Sequence, residues 1–163
     1  AKAENNQLIP HPEPLELADE VAELLEFYGV LAEEKEIRLS VVGHGTVSGD
    51  RLMLRRAISN LLSNALRYTP VGGTVTVRIE TQGDEAVKLT VENTGPCIAA
   101  EHLPRLFDRF YRTDSARQRT TEGSGLGLAI TRSILIAHGG DVSVSSAEGI
   151  TRFTLSLPVG GQL

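Results

Sequence analysis

The stretch Asn60-Leu61-Leu62-Ser63-Asn64-Ala65-Leu66-Arg67-Tyr68 combines an apolar stripe with polar side chains at helical spacing. Asn64 follows Asn60 by four residues and Arg67 follows Asn64 by three, so these side chains share one face of a helix. An amide oxygen is a neutral hard ligand for Mg²⁺, and a guanidinium group forms bidentate hydrogen bonds with phosphate oxygens. This face therefore suits a metal-chelated polyphosphate, although the solvated face of an ordinary amphipathic helix has the same composition.

Three helices are predicted from the spacing of apolar residues. The helix that contains this stretch is expected to begin after Asp50, a favourable N-cap, and to run to about Tyr68. A helix is expected before it at residues 16–32, and one after it that opens at Gly125 or Leu126 and closes at Gly139-Gly140. His138 ends this last helix, where it is expected to complement the helix dipole.

Alternating apolar residues predict five strands, within residues 37–41, 75–79, 87–91, 142–145 and 153–157. Gln82-Gly83-Asp84 is a natural hairpin turn, and residues 43–49, which contain three glycines, are predicted to be a turn region. The order of elements indicates an α+β fold, a two-layer α/β sandwich with three helices on one face of a mixed five-stranded sheet.

Composition excludes some classes of partner. The 163 residues carry 16 Lys and Arg against 21 Asp and Glu, a net charge of -5, which argues against nucleic acid or an anionic membrane. No apolar run is long enough to span a bilayer, so no direct membrane contact is expected. The single cysteine, Cys97, cannot form an internal disulfide, and a reduced, cytoplasmic setting fits best.

Two glycine-containing segments also have chemical potential. In residues 91–98, Gly95 would let backbone approach a flat ligand and Asn93 offers a carbonyl to an amino group, although many ordinary turns contain Asn and Gly. The run Gly123-Ser124-Gly125-Leu126-Gly127-Leu128 opens a helix, where free N–H groups bind anions. A glycine-rich helix start without a ligand is the alternative.

The segment Leu106-Phe107-Asp108-Arg109-Phe110-Tyr111-Arg112 precedes a long polar stretch, residues 112–124. Its aromatic side chains would anchor a hinge while Arg109 and Arg112 face a phosphate. An aromatic cluster of this kind is also typical of an ordinary hydrophobic core. A polar stretch of that length inside a compact domain is typical of a functional loop or of disorder.

In this order the four segments resemble the N, G1, F and G2 boxes of sensor histidine kinases, over about residues 15–158. The resemblance implies the Bergerat ATP-binding fold, with ATP and Mg²⁺ as cofactors, Asn64 as the metal ligand, and Asn60, Asn64 and Arg67 as catalytic residues. The other ATP-binding residues that it implies are Tyr68, Asn93, Gly95, Ile98, Arg109, Arg112, Gly123, Gly125, Leu126, Gly127 and Leu128. It further implies a linker at residues 1–14, a catalytic domain at 15–158 with an ATP lid at about 107–125, and a tail at 159–163.

The G1 box departs from the family pattern Asp-x-Gly-x-Gly, since Asn93 replaces the Asp and Cys97 the second Gly. Asn93 keeps a carbonyl for the adenine amino group but loses the charge, which predicts a weaker hydrogen bond. This variant, with the segment from Glu101 to Arg112, resembles heavy-metal-responsive sensor kinases, copper sensors in particular.

Asn60 separates a kinase from a hydrolase. Hydrolysing relatives of this fold carry a Glu four residues before the metal-binding Asn, where it deprotonates water, and an amide cannot do so. The nucleophile would then be a histidine. None of the four present, His11, His44, His102 and His138, lies in the His-Glu-x-x-x-Pro pattern of a phosphoacceptor helix. The domain alone is expected to bind nucleotide without phosphorylating itself.

The partners implied by the resemblance are the phosphoacceptor histidine domain of the same, dimeric protein and a cognate response regulator. The domain would be cytoplasmic and its parent anchored in the bacterial inner membrane. Two other functions are considered: a nucleotide-poor interaction module of the same fold, and an anti-sigma-factor-type serine kinase.

Overall fold

The computed structural model describes residues 8–109, 111 and 127–159. Its strands are β1 Glu13–Glu16, β2 Arg38–Gly43, β3 Thr46–Gly49, β4 Thr74–Gln82, β5 Ala86–Thr94, β6 Asp141–Ala147 and β7 Ile150–Pro158. Its helices are α1 Leu17–Glu34, α2 Arg51–Tyr68 and α3 Gly127–Ala137, and a 3₁₀ turn spans Leu103–Arg105. The predicted opening of α3 at Gly125 or Leu126 lies outside the described residues.

The main sheet has five strands in the order β2-β4-β5-β7-β6. β2 and β4 are parallel, and the other neighbours are antiparallel, so the predicted mixed five-stranded sheet is confirmed. One face of the three central strands is closed by the helices, with side chains only 0–3% exposed: Val75, Val77, Ile79, Val87, Leu89, Val91, Phe153, Leu155 and Leu157. The two-layer α+β sandwich is therefore confirmed as well.

Helix α2 is the central helix of the buried layer. Its apolar stripe is 0–5% exposed and consists of Leu54, Ala57, Ile58, Leu61, Leu62, Ala65 and Leu66. Asp50 has the extended backbone of an N-cap (φ -85°, ψ 115°), and its Oδ1 accepts a hydrogen bond from the Met53 N–H at 3.0 Å. The predicted N-cap and helix end are both confirmed.

The carboxylate of Asp50 also holds the N-terminal segment, because its Oδ2 accepts a hydrogen bond from the His11 N–H at 3.0 Å. Burial opposes ionisation of Asp50, but the N–H groups of His11 and Met53 outweigh it and lower the pKa of the carboxyl group. The segment that precedes β1 is therefore tied to the start of α2.

The interpretation of residues 43–49 as turn alone was wrong. Thr46–Gly49 forms β3, which pairs antiparallel with β1 in a separate two-stranded sheet, Glu13 opposite Gly49 and Glu16 opposite Thr46. Each strand has only four residues, and one carries a proline while the other ends in a glycine. Pattern within so short a segment cannot reveal a pairing between residues about thirty apart in sequence.

His138 lies at the end of α3 as expected, and it also makes a contact that the sequence does not predict. The side chain is 1% exposed, and its Nε2 accepts a hydrogen bond from the Asp50 N–H at 3.0 Å. Nε2 is therefore the acceptor of the ring and Nδ1 its donor. Nδ1 donates to the Ile134 carbonyl oxygen at 2.9 Å, and the residue joins α3 to the start of α2.

The outer face of the sheet is polar and carries an ion-pair cluster. Glu92 on β5 accepts hydrogen bonds from Arg78 Nε at 3.1 Å and from Arg152 Nε at 2.9 Å. Partial burial opposes ionisation of Glu92, but the two guanidinium groups outweigh it and hold the pKa of Glu92 below its ordinary value of 4.5.

We expect Glu92→Gln to lower the free energy of unfolding at neutral pH by less than about 1 kcal/mol, since both arginines are half exposed. A carboxyl group with a lowered folded pKa stabilises the fold above its unfolded pKa, and the stabilisation disappears as the pH falls through the folded pKa. The difference between wild type and variant in urea unfolding should therefore shrink from about pH 7 to about pH 3. Glu80→Gln, at an exposed acid on β4, is the matched control and should show no such trend. An equal Glu92→Gln effect at both pH values would contradict the prediction.

Candidate functional site

The polar face of α2 forms one wall of the candidate site. Asn60, Asn64 and Arg67 are each half-buried, because the apolar stripe of the same helix is turned into the core. Arg67 lies 5.7 Å from the centre of the Tyr68 ring, and Tyr68 itself is 40% exposed. The helix thus presents two amides, a cation and an aromatic ring on its exposed side.

Asn60 connects this face to the start of α3. Its Nδ2 donates hydrogen bonds to the Gly127 carbonyl oxygen at 3.1 Å and to Thr131 Oγ1 at 3.3 Å. A Cβ placed on Gly127 would lie 3.8 Å from Asn60 Cγ, which is ordinary van der Waals contact. The first and last of the sequence motifs therefore meet directly.

Asn64 lies one helical turn closer to the end of α2 and is used differently. Among the described residues it makes no side-chain hydrogen bond, and its amide is half exposed. An unbound amide oxygen on a formed helix face has the chemistry that a hard cation or a polar ligand requires.

The end of β5 forms the second wall. Asn93 is 6% exposed, and its Nδ2 donates to the Thr94 carbonyl oxygen at 3.3 Å. Within the part of the chain that the structure describes, its Oδ1 accepts no hydrogen bond. A buried amide that keeps its carbonyl oxygen unbound is suited to accept from a ligand donor.

Gly95 brings the turn after β5 against the end of α2. Its φ of +146° lies in a region that favours glycine, and an added Cβ would lie 3.1 Å from Pro70 Cδ and 3.4 Å from the Tyr68 carbonyl oxygen. Its N–H donates to the Gly149 carbonyl oxygen at 3.0 Å. The glycine is therefore required for the close approach that places Asn93 beside α2.

The two residues that follow Pro96 are held by the hairpin of β6 and β7. The Ile98 N–H donates to Ser146 Oγ at 2.8 Å, and the Gly149 N–H donates to Cys97 Sγ at 3.2 Å. The Ile98 side chain packs against the core. Cys97, which replaces a glycine of the family pattern, is thus accommodated at the turn rather than pointed into the interior, where it would displace core side chains.

The segment after the 3₁₀ turn is anchored as the sequence indicates. Phe107 packs edge-on against the Phe153 ring with centroids 6.1 Å apart. The Tyr111 hydroxyl is hydrogen bonded to His102 Nδ1, and the Arg105 guanidinium lies 4.6 Å from the Tyr111 ring centre. Arg109 is exposed. Phe110 and Arg112 lie outside the described residues.

Gly127 and Leu128 are half-buried at the start of α3, and Leu128 packs against the core. The other residues predicted there, Gly123, Gly125 and Leu126, lie outside the described residues. The structure also shows a polar residue that the sequence analysis missed, Thr131. It is fully buried, accepts from Asn60 and donates from Oγ1 to the Gly127 carbonyl oxygen at 2.9 Å. A threonine four residues after a helix-opening glycine was the available signal.

Among the described residues, no group of three His, Cys, Asp or Glu side chains could hold a metal ion. None of the described helices combines the length and apolar character needed to cross a membrane. The site is therefore built from neutral amides, glycines and a few cations.

This fold and the meeting of α2, the β5 turn and α3 define an ATP-binding domain. The model of the histidine kinase-, DNA gyrase B- and HSP90-like ATPase family matches residues 49–161. The chain belongs to this family, whose members bind ATP, and within it to the sensor histidine kinases.

Individual relatives agree with this assignment. The chain is 58% identical to the sensor histidine kinase CusS of Escherichia coli strain K12 over 159 residues, which is 97% of this chain and 33% of that protein. The mycobacterial sensor histidine kinase MprB superposes with a TM-score of 0.81 at 33% identity, covering 90% of this chain and 97% of the solved chain. The chain thus spans about a third of the length of the full-length relative (33%).

A third likeness shows the fold alone. The histidine kinase ThkA, solved in complex with the response regulator protein TrrA, superposes with a TM-score of 0.77 at 23% identity. The superposition covers 91% of this chain and 42% of that chain.

Asn60 and Asn64 offer a matched pair of substitutions on one helix. Asn60→Asp removes the amide donor and sets a carboxylate against the Gly127 carbonyl, so we expect a loss of about 1–3 kcal/mol in the free energy of unfolding. Asn64→Asp breaks no hydrogen bond to the described residues and should stay within about 0.5 kcal/mol of wild type. Chemical denaturation of the nucleotide-free protein measures both. Equal losses would contradict the role given to Asn60.

Proposed function

We propose that this domain binds MgATP and donates its γ-phosphoryl group to a histidine on the phosphoacceptor domain of the same, longer protein. The observation that carries the proposal is the meeting of three motifs along α2. The α3 start contacts Asn60, and the β5 turn contacts the end of the same helix. A nucleotide bound between these elements would have its base near Asn93 and its phosphates along the polar face of α2.

The adenine end would be recognised by Asn93. Its unbound carbonyl oxygen would accept a hydrogen bond from the exocyclic amino group, and Gly95 would leave room for the flat ring. Ile98 and Leu128, both packed against the core, would line the pocket.

The phosphate end would be held by α2 and α3. Arg67 would contact phosphate oxygens with Tyr68 beside the sugar, and Gly127 would let the phosphates approach the start of α3. Arg109, on the exposed part of the hinge segment, would complete the cationic set. The proposed ATP lid, about 107–125, and with it Arg112, Gly123, Gly125 and Leu126, falls largely outside the described residues.

Magnesium fits the site only together with a nucleotide. The described residues offer no carboxylate cluster, whereas Asn64 offers one unbound amide oxygen. Mg²⁺ commonly keeps several waters and is held by few protein ligands plus substrate phosphates, which matches a single Asn64 contact. When bound, the ion would neutralise charge on the phosphates.

Asn60 would prevent wasteful hydrolysis. Its amide cannot accept a proton, and its hydrogen bonds to Gly127 and Thr131 hold α3, so this residue supplies no general base to activate water. The imidazole of the acceptor histidine would instead attack the γ-phosphorus. An N–P bond forms, the bond to the β-phosphate bridging oxygen breaks, ADP leaves, and the imidazole loses its proton.

The whole protein would be a dimeric sensor kinase in the bacterial inner membrane, with this domain in the cytoplasm and a response regulator as its phosphoryl acceptor. The complex of ThkA with TrrA, a protein of the same fold, supports a regulator as partner. A heavy-metal stimulus, copper in particular, follows from the sequence resemblance. The domain boundaries at residues 15 and 158 belong to the same proposal.

Calorimetric titration with a non-hydrolysable ATP analogue tests the site. We expect saturable binding that is stronger with Mg²⁺ and about tenfold weaker in Asn64→Ala when Mg²⁺ is present, because one contact to a charged group is lost. Without Mg²⁺ the Asn64→Ala variant should differ little from wild type. The absence of binding at millimolar nucleotide would favour the interaction-module function instead.

Labelled ATP with an added fragment that carries the acceptor histidine then tests the transfer. Label on the histidine, stable to base and labile to acid, supports the kinase. Label on a serine, stable to acid, would overturn the proposal in favour of a serine kinase.

Substitution of Asn93 by Asp is expected to strengthen binding of the ATP analogue, whereas Asn64→Ala is expected to weaken it. Asn93→Asp should tighten binding of the ATP analogue by about three- to tenfold, because a charged acceptor makes a stronger hydrogen bond to the adenine amino group. Asn93→Leu, of similar size but without an acceptor, should weaken binding. The guanine analogue, which lacks an amino group at that position, is the ligand control and should not gain from Asn93→Asp. A gain for both bases would show that Asn93 does not contact the amino group.

A further inference from the structure

His138 is buried and fully hydrogen bonded, yet the proposed reaction does not use it. The ring is 1% exposed, with Nε2 bound to the Asp50 N–H at 3.0 Å and Nδ1 bound to the Ile134 carbonyl oxygen at 2.9 Å. A buried polar side chain whose two ring nitrogens bond to two different elements constrains both of them. Here the elements are α3, through Ile134, and the N-cap of α2, through Asp50.

The residue before the N-cap leaves space for this contact. A Cβ on Gly49 would lie 2.6 Å from Leu54 Cδ1, 3.2 Å from His138 Cδ2 and 3.4 Å from His138 Nε2. A larger residue would therefore clash with Leu54 and crowd the imidazole. The close packing is independent evidence that the contact between the two helices is tightly specified here.

The same two helices are joined again between the middle of α2 and the start of α3. Asn60 Nδ2 donates to the Gly127 carbonyl oxygen at 3.1 Å and to Thr131 Oγ1 at 3.3 Å. Asp50 and Asn60 are ten residues apart, about 15 Å along α2, and Gly127 and His138 are eleven apart, about 16 Å along α3. The helices are thus antiparallel and hydrogen bonded at two points separated by about three turns.

Two separated hydrogen-bonded contacts fix the angle at which α3 crosses α2. A single contact would let one helix turn about that point. Without the His138 contact, the far end of α3 would keep the buried side chains of Ile134 and Leu135 but would lose its directional contact to α2, so α3 could tilt about Asn60. Since Gly127 opens α3, such a rotation changes the direction of its N-terminal N–H groups relative to Asn64 and Arg67 on α2.

We propose that His138 is a positioning residue for the nucleotide site: through the Asp50 N–H it holds the far end of α3 and so aligns the phosphate-binding start of that helix with the polar face of α2. The proposal rests on the nucleotide site proposed above. His138 touches no nucleotide and acts through the two helices only.

The test compares two variants in the intact chain. His138→Leu fills the space but loses both hydrogen bonds, whereas the Gln side chain in His138→Gln carries an oxygen that can accept from the Asp50 N–H. We expect His138→Leu to weaken binding of the ATP analogue about fivefold or more, and His138→Gln to remain within about twofold of wild type. Ile79→Ala, a cavity variant in β4 that removes no hydrogen bond between α2 and α3, is the matched control: it should lower the melting temperature while leaving the affinity unchanged well below that temperature.

A nucleotide-free readout separates this proposal from the one on which it rests. In heteronuclear NMR spectra the wild-type His138 ring should show the Nδ1–H tautomer. His138→Leu should shift the Asn60 side-chain amide and the backbone amides of residues 127–131, while His138→Gln and Ile79→Ala should not.

Shifts at Asn60 and 127–131 without nucleotide binding in the wild type would support the positioning role and overturn the nucleotide site. Wild-type binding with the His138→Leu affinity unchanged, or with no shift at Asn60, would show that His138 is structural only and would overturn the positioning role.

Discussion

The rest of the structure depends on burial of one face of α2. Its apolar residues, Leu54, Ile58, Leu61 and Ala65, are at most 2% exposed between the sheet and the other helices, so the helix cannot rotate about its axis without exposing its core contacts. Asn60, Asn64 and Arg67 lie on the opposite side of the same 3.6-residue period and are therefore held at the edge of the core. The site chemistry thus takes its geometry from hydrophobic packing, and the polar residues need no separate scaffold.

Features with a local cause could be predicted from the sequence. The period of α2, its Asp50 cap and the hairpin at Gly83 each depend on residues within a few positions of one another, and each was confirmed. The β1–β3 pair was missed because its two four-residue strands meet only after α1 and β2 have been placed between them. The second contact of His138 was missed for the same reason: its partner, Asp50, lies 88 residues away in sequence and no pattern connects them.

In the candidate site, too, local features could be predicted from the sequence and contacts between distant residues could not. The residue types and the convergence of α2 with the β5 turn and α3 were predictable, because each motif has a chemical reason for its spacing. The partner of Asn60 was not, since a helical asparagine gives no indication of whether its amide will bind a ligand or a neighbouring backbone. The structure distinguishes two asparagines that the sequence presents as equivalent: Asn60 bonds to Gly127 and Thr131, whereas Asn64 bonds to no described side chain.

This distinction bears on how the site combines rigidity with access for a ligand. The second half of α3 is anchored by buried apolar side chains, Ile134 and Leu135, while its first residues, from Gly127 to Ile130, are only half-buried. Hydrophobic burial alone would therefore hold the end of α3 that is far from the proposed phosphates and hold the near end weakly. The hydrogen bonds from Asn60 compensate at the near end with directional contacts, which fix orientation without closing the surface to solvent. A helix start must keep its N–H groups exposed in order to bind an anion, so polar contacts are the means by which this end can be both fixed and open.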